Sequence, residues 1–113
     1  MNNKAKGYRV ERKMKLILEA HGWKVVRAGG SLGEYDIISF KDGKCIFFQI
    51  KSTNKKVFYY YGYSHGTYES FPFKLIVDFG RGCIRVLTPK KVVHSNDGED
   101  FITFVKYLDK LKQ

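Results

Sequence analysis

A chain of 113 residues with 43% hydrophobic content is enough for one domain with a single core that needs no disulfide or metal staples. No apolar run approaches the ~20 residues that span a bilayer, and the opening Met1-Asn2-Asn3-Lys4-Ala5-Lys6 lacks the apolar stretch of a secretory signal. The net charge of +10, from 21 Lys and Arg against 11 Asp and Glu, creates a positive field suited to a polyanion, so nucleic acid is the expected partner, with no membrane and no small-molecule substrate.

Residues 1–6 read as a flexible basic arm. Residues 8–21 read as a helix, because Val10, Met14, Ile17 and Leu18 form an i, i+4, i+7, i+8 stripe and Gly22 stops it. Trp23 to Ala28 is a predicted strand, and the glycine-rich stretch from Ala28 to Gly33 is a predicted mobile loop. A hairpin follows, with strands 35–40 and 45–51 around Asp42-Gly43, a strong two-residue turn signal. Residues 52–73 carry eight aromatic residues between Phe58 and Phe73. Gly62 and Gly66 break any helical period there, so strand or irregular loop is expected. Lys74 to Phe79 and Cys83 to Thr88 read as paired strands around the turn Gly80-Arg81-Gly82. Residues 98–112 form a predicted closing helix with Phe101, Phe104, Val105, Leu108 and Leu111 as its buried stripe. Asn96 or Asp97 is its expected cap, Glu99 and Asp100 fall in its first turn, and Lys110 and Lys112 in its last. Cys45 and Cys83 lie in strands and read as free thiols of a reducing compartment. The expected architecture is a single α/β domain built around a mixed sheet.

The hairpin carries the chemistry. With Asp42 and Gly43 as the loop, Asp36 faces Gln49 across the pair, at roughly 5 Å between side chains. Side chains alternate faces, so Lys51 shares the face of Gln49. The rest of that face is apolar, with Ile38, Phe40, Cys45 and Phe47. Singly, Asp36 reads as a strand end in water, Lys51 as a solvated lysine and Gln49 as a satisfied core amide. Together they suit phosphodiester hydrolysis, in which a divalent cation polarises the phosphate and activates a water. Magnesium takes oxygen ligands, commonly one or two carboxylates plus water. Asp36, the Gln49 amide oxygen and the Ile50 backbone carbonyl could supply them, and Lys51 the positive charge that steadies the transition state. Glu11 is a further acid if its helix crosses the sheet end. His21 and His94 lack partners at metal-ligand spacing, and His65 reads as a loop residue. Tyr59, Tyr60, Tyr61 and Tyr63 suit stacking on unpaired bases or the apolar heart of a dimer interface, against core packing for about half of them.

Gly7 with Glu11-Arg12, the run Gly22-Trp23-Lys24-Val25-Val26-Arg27-Ala28, Ser31, Asp36-Ile37-Ile38, Gln49-Ile50-Lys51-Ser52 and Phe79-Gly80-Arg81-Gly82 together resemble archaeal Holliday-junction resolvases. The resemblance spans roughly residues 7–90. It implies a restriction-endonuclease-like fold, a mixed sheet flanked by helices. It also implies a Mg²⁺-dependent homodimer that cuts two opposed strands of a four-way DNA junction, in an archaeal cytoplasm or encoded by a virus in its host cell. Carried over by position, Asp36 is a metal ligand, Lys51 the catalytic lysine, Glu11 the helix-borne acid and Ser31 the loop serine near the scissile phosphate. Arg12 and Arg27 are implied phosphate contacts, with Arg9, Lys55 and Lys56 extending the basic set. The family usually has Glu where Gln49 stands, and an amide is a weaker Mg²⁺ ligand, so Mn²⁺ is the alternative metal. The other functional readings are a related nuclease of flap, nick or restriction type, and a catalytically weak DNA-binding module on the same fold.

Overall fold

Apolar residues at every second position of a long strand place one face of a sheet under two helices and leave the other for a different use. In the computed structural model, which describes residues 3–28 and 33–110, the chain runs α1 (Asn3–Ala20), β1 (Lys24–Arg27), β2 (Ile37–Lys41), β3 (Lys44–Ser52), β4 (Val57–Tyr59), β5 (Thr67–Tyr68), β6 (Phe71–Asp78), β7 (Ile84–Leu87), β8 (Val92–His94), β9 (Glu99–Asp100) and α2 (Phe101–Lys110). The main sheet has the order β1-β2-β3-β6-β7-β9, with β5 paired to β6. Its pairs are antiparallel except β3 with β6, which run parallel. The sheet is therefore mixed, as expected, and residues 53–70 form the crossover that a parallel pair requires.

Both helices lie on the same face. Met14 and Leu18 of α1 and Phe101, Phe104 and Val105 of α2 pack on Ile37, Phe48, Ile50, Ile76 and Val86 of the sheet. The opposite face is covered at one end by the two-stranded β4–β8 sheet, where Tyr60 and Val93 meet Leu75, Val77 and Leu87. At the other end an aromatic cluster of Tyr35, Phe47, Tyr63, Tyr68 and Phe73 stands on the sheet, with ring centroids 4.6–5.4 Å apart for neighbouring pairs. The aromatic run of 52–73 thus resolves into two short strands and this cluster.

Some boundaries move. α1 begins at Asn3, so residues 3–6 of the expected basic arm belong to the helix. Lys and Ala are strong helix formers, and one Gly7 is tolerated at about 1 kcal/mol. The α2 cap is Asp100, neither Asn96 nor Asp97: Asp100 Oδ2 accepts the Thr103 backbone N–H and hydroxyl, both at 3.0 Å. Asp97 instead closes the preceding turn, accepting the His94 N–H at 2.7 Å and pairing with Lys90 at 3.0 Å. Glu99 and Asp100 form β9 rather than the first helical turn. Among the described residues no helix is long and apolar enough to cross a membrane.

Candidate active site

The site forms where the β2–β3 hairpin departs from regular pairing. Asp42 and Gly43 take φ of 49° and 80°, the two positive values of a primed two-residue turn. From there the register runs regularly from Lys41↔Lys44 to Ile37↔Phe48. At Asp36 it slips. The Asp36 N–H donates to the Phe48 carbonyl at 2.8 Å, so two residues of one strand face one of the other, the pattern of a β-bulge. The Asp36 carbonyl accepts the Ala28 N–H at 2.9 Å at the end of β1. Held from both sides, Asp36 turns its carboxylate onto β3. Its Oδ2 accepts the Gln49 side-chain amide at 2.8 Å and the Ile50 backbone N–H at 2.8 Å. The Ile50 N–H would otherwise lack a partner, because β2 has already left the ladder.

Asp36 and Gln49 therefore meet as expected, but through a bulge and not through direct backbone opposition. Burial pushes the Asp36 carboxyl above its usual range, while the Ile50 N–H, then the charges of Lys51 and Arg27, pull it back. Lys51 is solvent-exposed on the same face as Gln49. The ring of Tyr60 lies close enough for the Asp36 charge to add to burial in pushing its phenol up to about 12.

Glu11 joins through an intermediary. Its carboxylate pairs with Arg27 at 3.1 Å, and Arg27 in turn acts on Asp36. The Arg27 guanidinium also lies 4.6 Å from the Tyr8 ring centre. Arg27, expected as a phosphate contact, is thus the link between the helix-borne acid and the bulge. No spacing in the sequence signals this, because β1 and α1 meet only in the fold. Arg9 and Arg12 are exposed on α1, and Lys55 and Lys56 are exposed on the loop after β3. Ser31 lies outside the described residues. Tyr60 is buried, 3% exposed, with its hydroxyl donating to the Tyr63 carbonyl at 2.8 Å. Tyr63 packs at 4.6 Å on Phe73. Only Tyr59 and Tyr61 of the four tyrosines face outward. The alternation out, in, out across Tyr59-Tyr60-Tyr61 continues the period of β4 past its end, where the Tyr60 N–H still donates to the Lys91 carbonyl, and it separates them.

The donor set suits a hard cation. Among the described residues no three His, Cys, Asp or Glu side chains gather as a metal site. The oxygens available are those of Asp36, the Gln49 amide and the Ile50 carbonyl. The Ile50 carbonyl points to the same side of β3 as its N–H, toward Asp36. One carboxylate with neutral oxygens is a set that Mg²⁺ accepts when substrate phosphate and water supply the rest.

A family model described as archaeal Holliday junction resolvase matches residues 2–63, just over half of the chain. The crossover junction endodeoxyribonuclease Hjc of Methanocaldococcus jannaschii is 39% identical over 54 residues, a stretch covering 48% of this chain and 40% of that protein. The structure of Hjc from Archaeoglobus fulgidus, a Holliday junction resolvase, superposes with a TM-score of 0.67 at 14% identity, over 89% of this chain and 96% of the other. That likeness carries the fold, while the sequence match covers α1, the hairpin and the bulge, so the chain belongs to the archaeal Holliday junction resolvase family.

Proposed function

We propose that this protein is a structure-specific endodeoxyribonuclease that resolves four-way DNA junctions by Mg²⁺-dependent hydrolysis. The observation that carries the reading is the bulge, which aims the Asp36 carboxylate at Gln49 and Ile50 beside an exposed Lys51. Asp36, the Gln49 amide oxygen and the Ile50 carbonyl would hold the cation, which supplies a polarised phosphate and an activated water. Lys51 neutralises charge that builds on the phosphate oxygens. Arg27 keeps Glu11 at the edge of the site. Arg9, Arg12, Lys55 and Lys56 hold the DNA backbone without reading sequence, so affinity falls steeply with salt.

A two-fold homodimer matches a two-fold junction. An exposed apolar patch beside the hairpin turn supports a second copy there: Val26, Phe40 and Phe71 are 50%, 41% and 44% exposed, Val26 pairs with Ile38, and Phe40 and Phe71 line one cavity with Ile38.

The test is cleavage of a synthetic four-way junction beside a linear duplex of the same sequence, with Mg²⁺ or Mn²⁺. The reading expects cutting of the junction at paired sites and none of the duplex. Equal cutting of both removes junction specificity and favours a nuclease of another type. One observation favours a weaker catalyst: Gln49 already donates to Asp36 and satisfies it without a cation. Tight junction binding without cutting under either metal would make the protein a DNA-binding module.

A further inference from the structure

Next to the proposed cutting site lies a cavity of about 610 Å³ whose lining includes Gln49, Lys51, Tyr59 and Tyr61. That volume is within the usual range of small-ligand pockets. Its tyrosines are presented by a turn with little freedom. Tyr60 is buried, its N–H donates to the Lys91 carbonyl at 2.8 Å, and its hydroxyl donates to the Tyr63 carbonyl. The Tyr60 ring lies directly against Gly62, where an added Cβ would come within 2.5–2.7 Å of the ring and its hydroxyl. Tyr60 therefore anchors the turn from inside, and its neighbours are forced outward. Tyr59 and Tyr61 are 60% and 81% exposed. Among the described residues neither ring meets another ring or a cation, whereas Tyr63 and Tyr68 are locked in the aromatic cluster.

Building on the nuclease reading, we propose that Tyr59 and Tyr61 form a stacking pocket for one unpaired nucleobase next to the phosphate that is cut. Two exposed rings beside a cavity suit a flat aromatic partner, and the Lys51 ammonium at the same cavity suits the phosphate attached to it. A net charge of +10 favours a polyanion as the source of that ring. Bases inside a duplex are already stacked on both faces. A base at a branch point or a gap has a face to offer, and unstacking it costs least. The pocket would thus favour branched over linear DNA by chemistry within a single protomer, in addition to the fit of a dimer.

The experiment places 2-aminopurine, a base whose emission responds to stacking, at each position flanking the crossover of a synthetic junction. Wild-type protein, Tyr61→Ala and Tyr61→Trp are titrated with this DNA without divalent metal, and binding is followed separately by anisotropy of a distant dye. Tyr61 is exposed, so these variants keep the fold, which an unchanged melting temperature checks. The expected result is a change in emission at one position next to the branch, absent in Tyr61→Ala and restored in Tyr61→Trp. Junction binding should weaken about 5- to 150-fold in Tyr61→Ala, with linear duplex binding within about 3-fold of wild type. Saturated binding with unchanged emission at every position overturns the pocket, and so does equal weakening on linear duplex. Junction cutting by wild type with no emission response fails the pocket alone. An emission response without cutting supports the pocket and fails the nuclease reading.

Discussion

The two sets of side chains on β3 do opposite work. Phe48 and Ile50 point under the helices, where Phe48 is fully buried and meets Phe101 edge-on at 6.2 Å. Phe47, Gln49 and Lys51 point to the other face, where the aromatic cluster, the Asp36 carboxylate and solvent lie. One strand thus packs under the helices with Phe48 and Ile50, packs the aromatic cluster with Phe47, and turns Gln49 and Lys51 toward Asp36 and solvent. Neighbouring residues, advancing about 3.3 Å along the strand, can be under unrelated constraints because the pleat sends them to different environments. A change at buried Phe48 should cost stability, and a change at exposed Lys51 should cost function at nearly constant stability.

The sharpest test of that division is Phe48→Ala. Truncating a fully buried aromatic costs about 3–5 kcal/mol, a large share of the ~5–15 kcal/mol of a typical domain. Thermal melting should show a steep loss of stability. A mild effect would mean that the helix-covered face is not the mechanical core. On the other face, where Lys51 is exposed, Lys51→Ala should lower the rate of junction cutting by about 10²- to 10³-fold while the melting temperature stays within a degree or two. Loss of folding in that variant would erase the distinction between the faces.

Gln49→Glu probes the bulge itself. It replaces a donor to Asp36 by a second carboxylate, and two unit charges at hydrogen-bond distance repel. Metal-free protein should melt lower, Mg²⁺ should restore it, and metal affinity should rise about tenfold. Calorimetric titration with no gain in affinity would remove the amide from the metal-binding account. The smallest expected effect is that of Asp36→Asn on metal-free protein. Because burial raises the folded-state carboxyl above its ordinary value of 3.8, the folded state holds this proton to higher pH than the unfolded chain. Stability from this group is therefore greatest below the ordinary value and falls as pH rises through the raised one. Asp36→Asn should remove that decline, giving a slightly higher melting temperature at neutral pH, although cutting is lost. A lower melting temperature would show that Asp36 serves the fold more than the site.

Two turns of the same geometry show what a sequence can and cannot announce. Asp42-Gly43 and Glu69-Ser70 each join adjacent strands with two positive φ values, 49° and 80° in one and 51° and 74° in the other. The first is legible because Asp and Gly favour that conformation. The second is not, because Glu and Ser rarely enter it on their own. There the flanking Tyr68 and Phe71 pack on Phe47, with ring centres at 5.0 and 6.2 Å, and this packing closes the β5–β6 pair. The α2 cap illustrates the same limit. Three acids and an Asn precede the helix, and only the pairing of β9 with β7 through Arg85↔Asp100 decides that Asp100 is the one at its start.

From its sequence alone this chain determined a basic α/β domain, the hairpin with its register from Lys41 back to Ile37, and the meeting of Asp36, Gln49 and Lys51, because local turn chemistry and period-two alternation act over a few residues. The tertiary structure decided the bulge at Asp36, which depends on Ala28 and Phe48 holding its backbone from two strands. It also decided the coupling of Glu11 to the site through Arg27 and the sorting of the tyrosines into buried and exposed. Each of these turns on which distant backbone or ring occupies the neighbouring space, and no spacing along the chain encodes that.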